Sequence, residues 1–410
     1  MIQRPRGTRD FLPEDMVKRR YLEKVLRETF LSYGYREVQT PTFEHLELFT
    51  AKSGDSIIEE IYSFKDKSGR DLALRPELTA PVIRMYVEKL QMNPKPLKLF
   101  YFGNCYRYDR PQKGRYREFT QAGCELIGYS SPEALSELIS LAWNCLERAG
   151  LKDKSLKIGN LHLVETFLEK HGIKDELKRK ILRLVDKRDY DSLRKILENK
   201  LSADELTMIL DFFRSGSLDK LRDILDGVEE LERFEKVIDF LGIFGVDKYE
   251  VSMEVVRGLE YYKGIVFEIE SPRLGAERQI CGGGEYELVG LFGGKEIPTA
   301  GFALGFDRVI IALENEGFVF PDERIDFYII PAGRKEEILS KSVKLAMLLR
   351  REGRRVDIDL TGRSLRKAMS YADSMGFRKV IIVGEKDLRE GKVTVRDMVT
   401  GEQERMEVMI

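Results

Sequence analysis

A chain of 410 residues is long enough for two or three domains, and 42% hydrophobic with 34% charged residues is an ordinary globular composition, which excludes a disordered or fibrous chain. Lys and Arg number 69 against 70 Asp and Glu, a net charge of −1, so no global basic field advertises nucleic acid and such affinity must come from local patches. The opening stretch MIQRPRGTRDFLPEDM has no apolar signal core and no run of 18 uncharged apolar residues occurs, so neither a secretory signal nor a membrane span is expected and the chain reads as soluble and cytoplasmic.

In chain order, Val17, Tyr21, Val25, Leu26 and Phe30 recur at helical spacing and predict an amphipathic helix over 14–33. A strand is expected at 36–40, stopped by Pro41, and another at 71–75, after which Pro76-Glu77 opens a helix to about Leu90. Two alternating runs, 97–107 and 116–127, flank the basic loop 109–115 and predict a long hairpin. From 152 to 241 the composition turns to Lys, Glu, Asp and Leu in helix-period pieces (174–186, 202–213, 229–241), which reads as a helical insertion. Strands follow at 249–255, 264–271 and 277–283, then a glycine cluster, a strand at 300–304 and a helix from Gly305. Pro321-Asp322-Glu323 marks a second break. Beyond it, strands at 326–330, 356–359 and 379–383 alternate with helices at 334–351 and 363–375, the pattern of a small α/β domain.

Four stretches carry chemistry. Residues 107–118 hold Arg107, Arg110, Lys113, Arg115 and Arg117 against Asp109 and Glu118, a net +3, suited to bidentate phosphate contact, with Phe119 as a face for a base; a basic turn that simply faces water has the same composition. In VRGLEYY (256–262), Arg257 is placed to neutralise developing negative charge and a tyrosine hydroxyl to read a polar atom, although a double tyrosine also serves sheet packing. The glycines of CGGGEY (281–286) permit close backbone approach to a ligand but lack the dinucleotide-binding register. In GFALGFDR (301–308), Arg308 falls in a helix's first turn, where a cation opposes the dipole; an anionic ligand or a salt bridge explains it equally. The cysteines (105, 124, 145, 281) and histidines (45, 162, 171) form no disulfide framework or metal motif.

Taken together and in this order, RGTRDFLP (6–13), the stretch ending at Pro41, LRPELTAP (74–81), YRYDRPQKGRYREFTQAGCELIG (106–128), VRGLEYY, CGGGEY, GFALGFDR and DLTGRSLRKAMSYADSMG (359–376) resemble the histidyl-tRNA synthetases, class II aminoacyl-tRNA synthetases. The resemblance implies an α+β fold: a six-stranded antiparallel sheet flanked by helices (1–151 and 242–320), a helical insertion (152–241) and a C-terminal α/β anticodon-binding domain (321–410). It also implies histidine activation by ATP with Mg²⁺, transfer to tRNA(His), and a homodimer. Residue roles follow by resemblance. Arg107 and Arg257 would act on the α-phosphate, with Asp109, Arg115, Phe119 and Arg308 completing the ATP site. Glu77, Thr79 and Gln121 would hold the histidine ammonium, while Glu125, Tyr261, Tyr262 and Tyr286, with Arg257, complete the histidine site. Arg110, Gln112 and Arg363 would meet tRNA, and residues 341–379 carry a net +7 that suits phosphate contacts. The sequence departs from the family's usual pattern at Asp109 (glutamate), Thr120 (histidine), Glu260 (aspartate) and Glu285-Tyr286-Glu287-Leu288 (Arg-Tyr-Asp-Gly). The competing reading is a non-catalytic histidine-sensing relative, the regulatory subunit of ATP phosphoribosyltransferase, which lacks the C-terminal domain and commonly loses catalytic arginines; both are present here.

Overall fold

The structure, a computed structural model, describes every residue except Met1, Gly54, 110–113, Asn199, Ser215, Asp226, 257–260, 276–277, Glu323, Arg334 and 409–410. Two compact units divide at the Pro321 break, residues 1–320 and 321–410.

In the first unit the strands, in chain order, are β1 (Arg36–Glu37), β2 (Phe43–His45), β3 (Ser63–Lys65), β4 (Asp71–Leu74), β5 (Leu97–Tyr106), β6 (Glu118–Ile127), β7 (Ser155–Asn160), β8 (Tyr249–Val251), β9 (Tyr262–Glu270), β10 (Gln279–Tyr286) and β11 (Thr299–Gly305). The main sheet runs β1-β5-β6-β11-β10-β9-β7-β8. Its six central strands, β5 to β7 in that order, pair antiparallel throughout. Short β1 and β8 add parallel edges. A separate three-stranded sheet runs β2-β4-β3.

Alternation along the strands assigns the two faces of the main sheet. On one face Phe100, Phe102, Phe302 and Phe267 pack with Phe30 of helix Pro13–Ser32 and with Leu138, Ala142 and Cys145 of helix Pro132–Arg148. Fully burying each such large side chain stabilises the fold by roughly 1.5–3 kcal/mol, which fixes the register of every strand that carries one. On the opposite face small residues recur across neighbouring strands. Gly103 stands opposite Gln121, Gly123 opposite Tyr101 and Ala303, and Gly301 opposite Glu125. That face is a trough.

The expected elements differ from the observed ones in identifiable ways. The buried stripe of the first helix runs through Leu22, Leu26, Thr29 and Phe30. Only Arg36–Glu37 of the expected 36–40 strand is strand; Thr40 and Pro41 instead give their carbonyls to the buried Arg75 guanidinium. The helix after Pro76 is α-helical over Thr79–Met85 and widens into a π turn over Tyr86–Leu90. Of 249–255 only Tyr249–Val251 is strand, because the Ser252 amide donates to Ile158 O and Val255 turns back onto Ser252. The glycine cluster lies inside β10 rather than after it.

The helices Leu161–Lys170, Asp175–Asp186, Tyr190–Glu198, Ala203–Arg214, Leu218–Leu225 and Glu229–Ile243 build the helical insertion. Its core, including Phe167 stacked on Phe212 at 3.8 Å, runs without a break into that of the sheet. The segment 152–241 also supplies β7 to the main sheet.

The second unit holds β12 (Phe327–Ala332), β13 (Val356–Ile358), β14 (Lys379–Gly384), β15 (Lys392–Asp397) and β16 (Gln403–Glu407), with helices Glu336–Arg351, Leu365–Ser374 and Glu385–Arg389. The order is β13-β12-β14-β15-β16, parallel across β13, β12 and β14 and antiparallel beyond.

Candidate active site

Over the trough lies a cavity of about 220 Å³, lined by Glu77, Thr79, Arg107, Asp109, Arg115, Phe119, Gln121, Tyr261, Tyr262 and Arg308 together with Tyr116, Thr120, Asp307 and residues of β10 and β11. Ten of the residues singled out in the sequence therefore meet at one place, although they come from four separate stretches of chain.

One end of the cavity is basic. Arg107, at the end of β5, donates its Nε–H to Pro76 O at 2.9 Å, and its guanidinium stands 5.2 Å from the Phe119 ring centre. Arg308, in the first turn of helix Phe306–Asn315, donates to Gly114 O at 3.0 Å and Gln279 O at 2.8 Å. These carbonyls help hold a cation where the helix dipole opposes one. Arg115 pairs with Asp109 at 3.3 Å. The planar guanidiniums of Arg107 and Arg308, set in place by bonds to carbonyl oxygens, are suited to phosphate.

The other end is acidic and aromatic. Glu77 is buried and accepts from the Thr79 amide at 2.7 Å and the Ala80 amide at 3.1 Å, so its carboxylate sits on the free N–H groups that open helix Thr79–Met85. Gln121 is oriented by the Cys105 thiol, which donates to its Oε1 at 3.3 Å; burial pushes that thiol up to about 12, so it stays a donor. Tyr261 and Tyr262 stack at 4.8 Å, both edge-on to Tyr286.

Two of the predicted histidine-site residues lie beneath the cavity rather than in its lining. Glu125 is fully buried; its oxygens accept from Tyr101 Oη at 2.9 Å and Tyr286 Oη at 2.6 Å, and the Thr79 hydroxyl bonds to it as well. Burial raises its carboxyl to about 8, outweighing the hydrogen bonds that favour the charged form. The bare Gly301 makes room: a Cβ there would overlap the Glu125 carboxylate and lie 2.7 Å from Cys124 O.

The glycines of CGGGEY divide in role, which corrects the expectation that all three serve close approach to a ligand. Gly282 lines the cavity. Gly283 faces the packed side, where a Cβ would come within 2.5 Å of Phe302 Cβ, and Gly284, with φ +149, is crowded by Ile265 O and Val266. Arg257, with Gly258, Leu259 and Glu260, lies outside the described residues, as do Arg110 and Gln112. Arg363 belongs to the second unit, paired with Asp359 at 3.2 Å and lying over the Tyr371 ring. Among the described residues no group of three or more His, Cys, Asp or Glu is placed to hold a metal ion, and no helix is long and apolar enough to cross a membrane.

Sequence reasoning missed Arg9, Arg19 and Arg75. Arg75 is buried and spends its guanidinium on Thr40 O, Pro41 O and Asn104 O, which ties β5 to the segment before β2. Gly103 is bare for the same reason, since a Cβ there would sit 2.5 Å from Arg75 Nη2. Nothing in spacing links such partners.

This architecture has known counterparts. The family model described as histidyl-tRNA synthetase matches residues 7–309, and the anticodon binding domain model matches 326–409. A histidine–tRNA ligase of Methanocaldococcus jannaschii is 47% identical over 409 residues, covering 98% of this chain and 97% of that protein. The crystal structure of apo S. aureus histidyl-tRNA synthetase superposes with a TM-score of 0.75 at 31% identity, over 99% of this chain and 97% of that one. A Bacillus halodurans structure described as an ATP phosphoribosyltransferase regulatory subunit/histidyl-tRNA synthetase gives 0.81 at 27% identity, over 94% and 98%. With a matching catalytic region, a matching C-terminal unit and near-complete coverage at this identity, the chain belongs to the histidyl-tRNA synthetase family of class II aminoacyl-tRNA ligases.

Proposed function

We propose that the chain activates histidine with ATP and then transfers it to tRNA(His). What supports this reading most is the joint lining of one cavity by a basic, aromatic end (Arg107, Arg115, Phe119, Arg308) and an acidic, tyrosine-walled end (Glu77, Thr79, Gln121, Tyr261, Tyr262). The first suits a nucleotide and the second an amino acid with a polar ring, and their junction is where the two would react.

In the first step the histidine carboxylate attacks the α-phosphorus of ATP in line, the bond to the bridging oxygen breaks, and pyrophosphate leaves. Arg107 meets the α-phosphate and, by the family resemblance, Arg257 would serve the same group, so negative charge gathering on the equatorial oxygens is met by cations. Phe119 stacks on adenine, Arg308 stands against it and toward the γ-phosphate, and Asp109 and Arg115 border the same nucleotide. Mg²⁺ carried by the ATP phosphates would neutralise part of their charge.

Glu77, Thr79 and Gln121 receive the ammonium group. Tyr261 and Tyr262 wall the imidazole, with the Glu125–Tyr286 pair behind them. An amino acid lacking the ring nitrogens would forgo the hydrogen bonds that a site built for an imidazole offers, which lowers its transition-state binding relative to histidine. In the second step a ribose hydroxyl at the tRNA 3′ end attacks the adenylate carbonyl and AMP leaves. Arg110 and Gln112 meet the acceptor end, and Arg363 belongs to the basic face of the anticodon-binding unit. Two copies pair as a homodimer, working in the cytoplasm beside their tRNA.

The reading predicts that purified protein charges tRNA(His) with labelled histidine and leaves other tRNAs and other amino acids untouched. Absence of charging with intact histidine binding would favour the histidine-sensing relative, against which the match of residues 326–409 to an anticodon binding domain argues.

A further inference from the structure

Four elements of the first unit converge on one carboxylate that the reading above leaves without a role. Asp307, 5% exposed, opens helix Phe306–Asn315 and borders the cavity. Its Oδ1 accepts from Arg9 Nη2 at 2.8 Å and from Arg19 Nη1 at 2.6 Å, and its Oδ2 accepts the Thr120 amide at 2.9 Å. Arg19 closes the ring by donating from Nη2 to Thr120 Oγ1 at 2.6 Å. Each guanidinium is also held on a flat face: Arg9 lies 3.4 Å over Tyr116, and Arg19 lies 4.1 Å over Phe11 and 5.0 Å over Phe306. The N-terminal segment, helix Pro13–Ser32, β6 and helix Phe306–Asn315 are thereby joined through a single side chain.

What this junction does follows from its neighbours in the chain. Thr120 is the residue after Phe119, and Asp307 is the residue before Arg308. A hydrogen bond from the Thr120 amide to the Asp307 carboxylate therefore sets one backbone against the other at the point where each carries a group of the proposed nucleotide site. The two arginines hold that carboxylate in one orientation, since rotation about its χ angles would break contacts to both. Glu77 and Thr79 belong to a different element, where the Thr79 and Ala80 amides donate to the Glu77 carboxylate.

We propose that Asp307, clasped by Arg9 and Arg19, is a positioning residue for ATP that acts by setting the spacing between Phe119 and Arg308. The proposal rests on the assignment of Phe119 and Arg308 to the nucleotide. The test is the KM for ATP and for histidine, measured by pyrophosphate exchange with full-length wild type, Asp307→Asn, Arg9→Met, Phe119→Ala and the double variant Asp307→Asn/Phe119→Ala. Asp307→Asn is expected to raise the ATP KM about tenfold with the histidine KM within about twofold of wild type. Arg9→Met, which leaves Arg19 on the carboxylate, is expected to move the ATP KM the same way by less, and Asp307→Asn is expected to add nothing in the Phe119→Ala background.

A histidine KM that rises in step with the ATP KM would mean general loss of site structure and would overturn the proposal. An ATP KM unmoved by Asp307→Asn and Arg9→Met, but raised by Phe119→Ala, would refute the positioning role and keep the nucleotide assignment. If Phe119→Ala leaves the ATP KM unmoved, the nucleotide assignment fails and takes the positioning role with it. Should Asp307→Asn not fold, Arg9→Met decides between the same outcomes.

Discussion

Glu125 sits where burial and hydrogen bonding oppose one another. Removal from water disfavours its charge, while Tyr101, Tyr286 and Thr79 favour it, and burial wins, raising the carboxyl from 4.5 to about 8. The unfolded chain therefore gives up this proton at lower pH than the folded one. The stability that Glu125 contributes is complete below its unfolded value and is lost as pH rises toward and through about 8. Thermal melts of wild type and Glu125→Gln from about pH 5 to about pH 9 should show wild type losing ground to the variant across that interval. Parallel curves would show that Glu125 is already ionised in the folded protein. The identity of this residue was legible in the sequence, but its setting was not. Whether a strand carboxylate faces a cavity or underlies it is decided by neighbours such as Gly301 and Gly123, which lie far from it in the chain or carry no side chain to signal the contact. Arg308 was found through its conflict with the helix dipole, yet the carbonyls that hold it, Gly114 O and Gln279 O, belong to no recognisable pattern.

The trough is made by the register of the sheet elements. Period-two alternation places Gln121, Gly123 and Glu125 on one face of β6, and antiparallel pairing sets Gly103, Tyr101, Ala303 and Gly301 beside them. Gly301→Ala places a methyl group into the Glu125 carboxylate and against Cys124 O, and neither has room to move. Overpacking of this kind costs about 1–3 kcal/mol, to be read as a lower urea midpoint at unchanged slope; a midpoint equal to wild type would mean that the trough accommodates the methyl group. Long, alternating β5 and β6 were readable because each buries a full face. β7 (SLKIGN) was hidden in a Lys-rich stretch of helical composition. β16 was missed because QERME is exposed along its whole length, as a charged edge strand usually is, whereas β15, missed as well, has Val393, Thr394 and Val395 buried. The π turn at Tyr86–Leu90 left no trace in the hydrophobic spacing.

At the scale of the whole molecule, the break at Pro321 divides the chain into a unit that contains the complete cavity and a second that contains a basic α/β domain. Composition and proline placement made that division visible in the sequence. The contacts that assemble the first unit were not visible: Arg19 and Asp307 are 288 residues apart, and a single sequence carries no sign that a helix near one end clasps a helix far along the chain. On the proposed function, these remote pieces build one site that activates histidine with ATP. Histidine-dependent exchange of labelled pyrophosphate into ATP tests it most directly, run on wild type and Arg107→Ala with proline, threonine and glutamine as alternative amino acids. Exchange is expected with histidine alone, reduced roughly a hundredfold or more in Arg107→Ala. Histidine binding without any exchange would contradict it and leave the chain a histidine sensor.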